Sequence, residues 1–132
     1  MAVGLHLLFP VHLLAPERAH LLGGTLSVLG IALAVWGRLA MARAGTDPNP
    51  RHPATALVVD GPFRFTRNPL YIALTIFYLG LTAMVNSLWP LILLPGVLIV
   101  MQRGVVEREE RYMERKFGEA YRAYRARVRR WL

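Results

Sequence analysis

The chain has 132 residues, 55% of them hydrophobic, with no cysteine and a net charge of +8 carried by 15 arginines and a single lysine against 8 acids. The lack of cysteine excludes disulfides, thiolate catalysis and cysteine-ligated metals, and apolar residues gathered in runs read as one integral membrane domain over residues 1–132. Nucleic acid is not an expected partner, because no binding-module signature accompanies the basic charge, which instead suits membrane lipids of an anionic cytoplasmic leaflet.

A spanning helix needs about 20 largely apolar residues. Residues 3–14 form a first, short run containing Pro10. It lacks the basic segment of a signal peptide, leaving a buried hairpin arm or a tilted first span as its readings. Residues 20–42 are the longest apolar stretch. Gly23, Gly24, Gly30 and Gly37 lie along it and let another helix approach closely, which also leaves association between copies open. Residues 45–68 contain Pro48, Pro50, Pro53 and Pro62, too many for a helix but suited to a folded cap. Runs at 70–85 and 88–101 are separated by Asn86 and Ser87 and read as a tight helical hairpin, the second interrupted by Pro90 and Pro95. From 103 to 130 the period becomes helical: Met113, Phe117, Tyr121, Tyr124, Val128 and Trp131 are spaced by four, four, three, four and three, as on one apolar face of an amphipathic surface helix.

The expected architecture is therefore all-α, an integral membrane helical bundle of about four transmembrane helices with a C-terminal amphipathic cytoplasmic helix. Arg38, Arg43, Arg51, Arg64 and Arg67 surround the loop, and Arg103 and Arg108 follow the fourth run. By the positive-inside rule this puts the loop and both termini in the cytoplasm, and the expected location is the cell (inner) membrane.

Chemistry concentrates in two places. The stretch GPFRFTRNPLY, Gly61 to Tyr71, supplies arginines, an asparagine and aromatic rings beside the membrane, and Glu109 and Glu110 supply carboxylates that accept hydrogen bonds from hydroxyls or an ammonium group. A structural reading of the acids stays open: with Glu107 they favour a helix N-terminus or pair with Arg111 and Arg115. His6, His12, His20 and His52 are scattered without ligand spacing, so no metal site is expected. Trp36, Trp89 and Trp131 read as interfacial anchors.

GPFRFTRNPLY followed by EERYMERKFGEAYRAYRARV, Glu109 to Val128, resembles the isoprenylcysteine carboxyl methyltransferase and phospholipid methyltransferase superfamily, over roughly residues 50–132. Members show GPY-R-Y-x-RHP-x-Y, then EE-x-x-L-x-x-x-FG-x-x-Y-x-x-Y. The resemblance implies a membrane methyltransferase that binds S-adenosyl-L-methionine in a cytoplasmic pocket roofed by the loop and last helix, with a lipophilic small molecule or lipid entering from the bilayer. It assigns the cofactor to Leu57, Val58, Phe63, Asn68, Pro69 and Tyr71, with Glu109 and Glu110 completing the pocket. Asn68 stands where members have histidine, Phe63 where they have tyrosine, and Val105 where the prenylcysteine enzymes have a substrate arginine, for which Arg103 or Arg108 is the replacement. Glu109, Glu110 and Arg103 are thus the candidate catalytic residues, with either acid, or water, as base for an amine or thiol acceptor. An NADPH-dependent membrane reductase of related architecture and a non-catalytic scaffold remain as alternatives.

Overall fold

The computed structural model describes residues 2–8, 12, 14–46 and 56–131. Pro10, Pro48, Pro50, Arg51, His52, Pro53 and the side chain of His6 lie outside the described residues. The order is α1 (Ala2–Leu8), α2 (Pro16–Arg43), a 3-10 turn at Gly61–Arg64, α3 (Pro69–Val85), α4 (Trp89–Met101), a π-turn at Gln102–Val106, α5 (Glu107–Phe117) and α6 (Glu119–Arg127). No strand occurs among the described residues, and the all-α class is as expected. Pro16, Pro69 and Pro90 sit in the first turns of α2, α3 and α4, where a missing N–H leaves no bond unmade.

The spans differ from expectation in number. Among the described residues, two helices are long and apolar enough to cross a bilayer: Pro16–Arg43, with 28 residues, and the continuous Trp89–Phe117, with 29. α3 has 17 residues, a rise of about 26 Å at ~1.5 Å each, a little short of the ~30 Å hydrocarbon core. The first expected span, 3–14, is not one helix, because α1 stops at Leu8. Leu14 instead joins the α3–α4 turn: its N–H donates to Asn86 Oδ1 at 3.0 Å and Asn86 Nδ2 donates to its carbonyl at 2.7 Å. Asn86 is left-handed at φ 54°, a conformation asparagine tolerates better than most residues.

Helix pairing departs from the expected α3–α4 hairpin. The principal pair is α2 with α3, because both present backbone. Gly23, Gly30 and Gly37 are buried on α2, and Ala73 and Gly80 on α3. A Cβ at Gly30 would lie 2.9 Å from Ala73 O and Phe77 N, so the helices are in contact through their main chains. Gly24, expected in that set, faces open space. α4 has no buried residue, and Leu91, Ile92, Val97, Ile99 and Val100 are exposed along it, a surface suited to hydrocarbon. Near their turn α3 and α4 are joined by Tyr78 Oη donating to Pro90 O at 2.6 Å. Toward the other end they diverge.

The C-terminal helix, expected as one rod over 103–130, is divided. A π-turn opens it, and Gly118 interrupts it at φ +55°, which only glycine adopts without a Cβ penalty. After Arg127 the chain is extended at Val128 (φ −125°, ψ 130°). The apolar residues at helical spacing are therefore sent to different places instead of forming one stripe. Tyr121 and Tyr124 are buried beneath the 61–68 loop, and Trp131 reaches α4.

Candidate functional site

The loop is held by the returning C-terminal segment. Arg67 N–H donates to Arg129 O at 2.9 Å, while Thr66 Oγ1 and Asn68 Nδ2 donate to Arg130 O at 3.1 and 2.7 Å. From below, Tyr124 Oη donates to Phe63 O at 2.6 Å and lies 3.3 Å from Thr66 O. Burial pushes the Tyr124 phenol well above its usual range, so it stays a neutral donor. These bonds satisfy the carbonyls of a loop too proline-rich for a ladder of its own. They also alter the reading of Asn68: its amide donor is committed to the Arg130 carbonyl, and the residue is 8% exposed. Its visible task is to tie the segment down. Val58, Pro62 and Pro69 are buried with it, and Leu57 and Phe63 are half-buried.

The acidic pair is split. Successive residues on a helix point about 100° apart, and here Glu109 and Glu110 serve different partners. Glu109 Oε1 accepts from Tyr71 Oη at 2.6 Å. The residue has exposed surface, but the carboxylate is drawn toward protein, and desolvation raises its pKa, partly offset by the Tyr71 hydrogen bond. Glu110 instead accepts two bonds from Arg130, Nε to Oε1 at 2.7 Å and Nη2 to Oε2 at 2.9 Å, and lies 3.5 Å from Arg67 Nη1. The partners are far along the chain, not Arg111 and Arg115. Arg67 Nη1 also donates to Tyr121 Oη at 3.3 Å, whose pKa is raised by burial and lowered by that bond. Arg67 Nε is buried with no hydrogen-bond partner, an uncommon state for such a donor.

On α3, the residue after Tyr71 opens onto a space left between α3 and α4. Ile72, Thr75 and Ile76 line it from α3, and Leu98, Ile99, Gln102 and Arg103 from the other side, with Trp131 at its margin. The cavity is about 540 Å³, within the range of small-molecule sites. Thr75 Oγ1 is turned back on Tyr71 O at 2.8 Å, so that wall is effectively apolar.

Of the residues expected from sequence, Tyr71 and Glu109 meet directly, Asn68 and Glu110 meet through Arg130, and Arg103 stands in the cleft wall. Arg67 was expected only as one of the loop's arginines, and Gln102, Tyr124, Arg130 and Trp131 were not among the expected site residues. Arg130 is 20 residues from Glu110, and no local spacing announces that bond. Among the described residues no group of three His, Asp or Glu side chains could hold a metal ion.

A family model for phospholipid methyltransferases matches residues 18–120. The chain is 35% identical over 97 residues to the cobalt-zinc-cadmium resistance protein CzcN of Cupriavidus metallidurans, covering 72% of this chain and 42% of that protein. It is 31% identical over 97 residues to the nickel-cobalt-cadmium resistance protein NccN of Alcaligenes xylosoxydans xylosoxydans, covering 72% and 43%. An uncharacterized protein of Haemophilus influenzae is 41% identical over 64 residues, 48% of this chain and 100% of that one. The chain thus spans less than half the length of the two resistance proteins. No solved structure matches it significantly.

Proposed function

We propose that this chain, which belongs to the phospholipid methyltransferase family, catalyses methyl transfer from S-adenosyl-L-methionine to a lipophilic or lipid acceptor at the cytoplasmic membrane face. The observation that carries the reading is the junction of two unlike environments. A hydrogen-bonded Tyr71–Glu109 pair adjoins in sequence Ile72, which lines an apolar cleft between α3 and α4. A polar methyl donor and an apolar acceptor need such neighbouring compartments.

The residues present fit the cofactor. Glu109 offers a carboxylate to an ammonium group or ribose hydroxyls, and Arg67 Nε is a buried donor left for a carboxylate. Leu57 and Phe63, half-buried, have apolar surface to offer, while Val58 and Pro69 are buried in the fold. Bound there, the sulfonium supplies an electrophilic methyl group and loses its positive charge on transfer. The protein's part is alignment and exclusion of water by Ile72, Ile76, Leu98 and Ile99. Where the acceptor carries a proton, Glu109 takes it, and its raised pKa makes it the stronger base. Glu110, gripped by Arg130 and Arg67, positions the C-terminal segment. Arg103 presents a cation to the acceptor's polar end.

The first test is calorimetry and thermal shift with S-adenosylhomocysteine against NADPH. S-adenosylhomocysteine should bind and stabilise, and NADPH should not. Binding of NADPH alone would favour the reductase reading, and binding of neither would favour a scaffold. Glu109→Ala should weaken S-adenosylhomocysteine about tenfold to a hundredfold, the ~1–3 kcal/mol of a lost charged hydrogen-bond partner. Affinity should also fall on acidification. The carboxylate must be ionised to hold a cationic group, and because its pKa is raised, the loss should begin at a higher pH than for an ordinary glutamate. Glu109→Gln should flatten that dependence; an unchanged pH profile would remove Glu109 from the cofactor site.

Orientation follows the arginines. Arg38, Arg43, Arg64 and Arg67 gather at the end of α2 that meets the loop, against Glu17 and Arg18 at the other, which supports a cytoplasmic loop and C-terminal segment. Since the chain has no native cysteine, Ala44→Cys and Arg18→Cys report cleanly. An impermeant maleimide added outside intact cells should label position 18 and spare position 44. The reverse pattern would overturn the topology.

A further inference from the structure

The apolar cleft is bordered by an indole delivered from the far end of the chain. Trp131 borders the cleft with Ile72, Leu98 and Gln102, and its Nε1–H donates to Gln102 Oε1 at 3.0 Å. Its backbone is equally fixed. Arg129 and Arg130 accept bonds from Arg67, Thr66 and Asn68, and the Arg130 guanidinium is held by Glu110. The ring is thus pinned from the π-turn and its main chain from the loop. Gln102 opens the π-turn, a device that re-aims helix side chains and recurs at functional sites.

The position matters because of what lies on each side. On α3, Ile72 faces the cleft and the preceding residue, Tyr71, bonds Glu109. On the other wall, Gln102 is followed after two helical turns by Glu109. The indole therefore lines the same cleft as Ile72, the residue that follows Tyr71, and Gln102, the residue that opens the turn leading to Glu109. An interfacial anchor would turn its N–H toward headgroups; this one turns it to a side chain of the same protein and offers its ring to the cleft.

We propose that Trp131 is the specificity-determining wall of the acceptor site, its indole setting how far an aliphatic chain can advance toward Tyr71 and Glu109. The inference rests on the reading of the cleft as the acceptor site. The other apolar walls, Ile72, Ile76, Leu98 and Ile99, are aliphatic, so the indole is the rigid element against which a flexible chain is measured. Gln102 acts through Trp131 as a positioning residue.

Two measurements test it. Methyl-labelled S-adenosyl-L-methionine is incubated with an organic extract of source membranes and the labelled products are resolved by chain length for the parent, Trp131→Phe, Trp131→Ala and Gln102→Ala. Shortening the wall should shift the ratio of longer to shorter products about tenfold in Trp131→Ala, the scale on which one or two methylenes are discriminated. Trp131→Phe and Gln102→Ala should shift it less in the same direction, with S-adenosylhomocysteine affinity retained in all. An unchanged product profile in Trp131→Ala overturns the proposal, as does a changed profile accompanied by lost S-adenosylhomocysteine binding, which would mark a structural role. If the parent labels no product, the methyltransferase reading fails, and the wall is judged by fluorescence. In the Trp36→Phe/Trp89→Phe protein, dodecyl bromide should quench Trp131 saturably, and Thr75→Phe, which fills the cleft, should relieve the quenching. Unsaturable quenching, or quenching indifferent to Thr75→Phe, overturns the wall.

Discussion

Gly80→Leu is expected to leave almost no folded protein in detergent or bilayer. A Cβ at Gly80 would lie 2.6 Å from Ser27 N and 2.9 Å from Gly23 O, and one at Gly23 would lie 2.7 Å from Gly80 O. These neighbours are backbone, which cannot rotate aside as a side-chain tip can. The helices would have to part along their whole contact. Within lipid no hydrophobic force returns them, because association there depends on close packing. The cost should reach or exceed ~3 kcal/mol, the upper end of ordinary overpacking. Size-exclusion profile and thermal midpoint in detergent measure it. Gly24→Leu is the matched control, since a Cβ at Gly24 meets nothing within 4 Å, and it should behave like the parent. A Gly80→Leu protein with the parent's midpoint would mean that α2 and α3 do not meet as described.

Glu110→Ala should have the second-largest effect, and on stability more than on ligand binding. Glu110 and Arg67 side chains are 14% and 12% exposed and Arg130 is 32% exposed. Removing the carboxylate strands two guanidinium groups at a partly dry site. Truncating one partner of a fully buried pair costs ~3–5 kcal/mol, and the solvent that reaches Arg130 reduces this to about 2–3. The segment 128–131 should then release from the loop. Trypsin should cut after Arg127, Arg129 and Arg130 faster than in the parent, and the thermal midpoint should fall. Glu109→Ala should spare stability, since Glu109 is exposed and is tied to the fold by its bond to Tyr71. If Glu109→Ala were the more destabilising of the two, the division of labour between the acids would be wrong.

That division shows where reading a linear chain stops. Both acids were legible as a pair at the start of a charged helix, and the resemblance treated them alike. Their separate duties depend on where α5 points each side chain, and on Arg130 arriving 20 residues later. Asn68 is similar: its identity marked a departure from the family pattern, but the carbonyl it serves belongs to Arg130. Gly118 carried a signal that the helical spacing overrode, since the apolar periodicity continued through it although the backbone there is at φ +55°.

Local physical chemistry was enough to determine the all-α class and the long apolar helices, whereas Pro90, expected to interrupt its run, sits in the first turn of α4. It also determined that Gly23, Gly30 and Gly37 lie along a close-approach face, because a helix period places them without reference to any partner. Tertiary structure decided which helix occupies that face: α3, not another copy, and not α4 with α3. It also decided that α1 ends at Leu8, that α3 and α4 part to leave a cleft, and that Trp131 borders it. Such outcomes depend on steric fit and hydrogen bonds between residues far apart in the chain. Periodicity records which face of a helix is apolar or small, and only the packed molecule determines what that face meets.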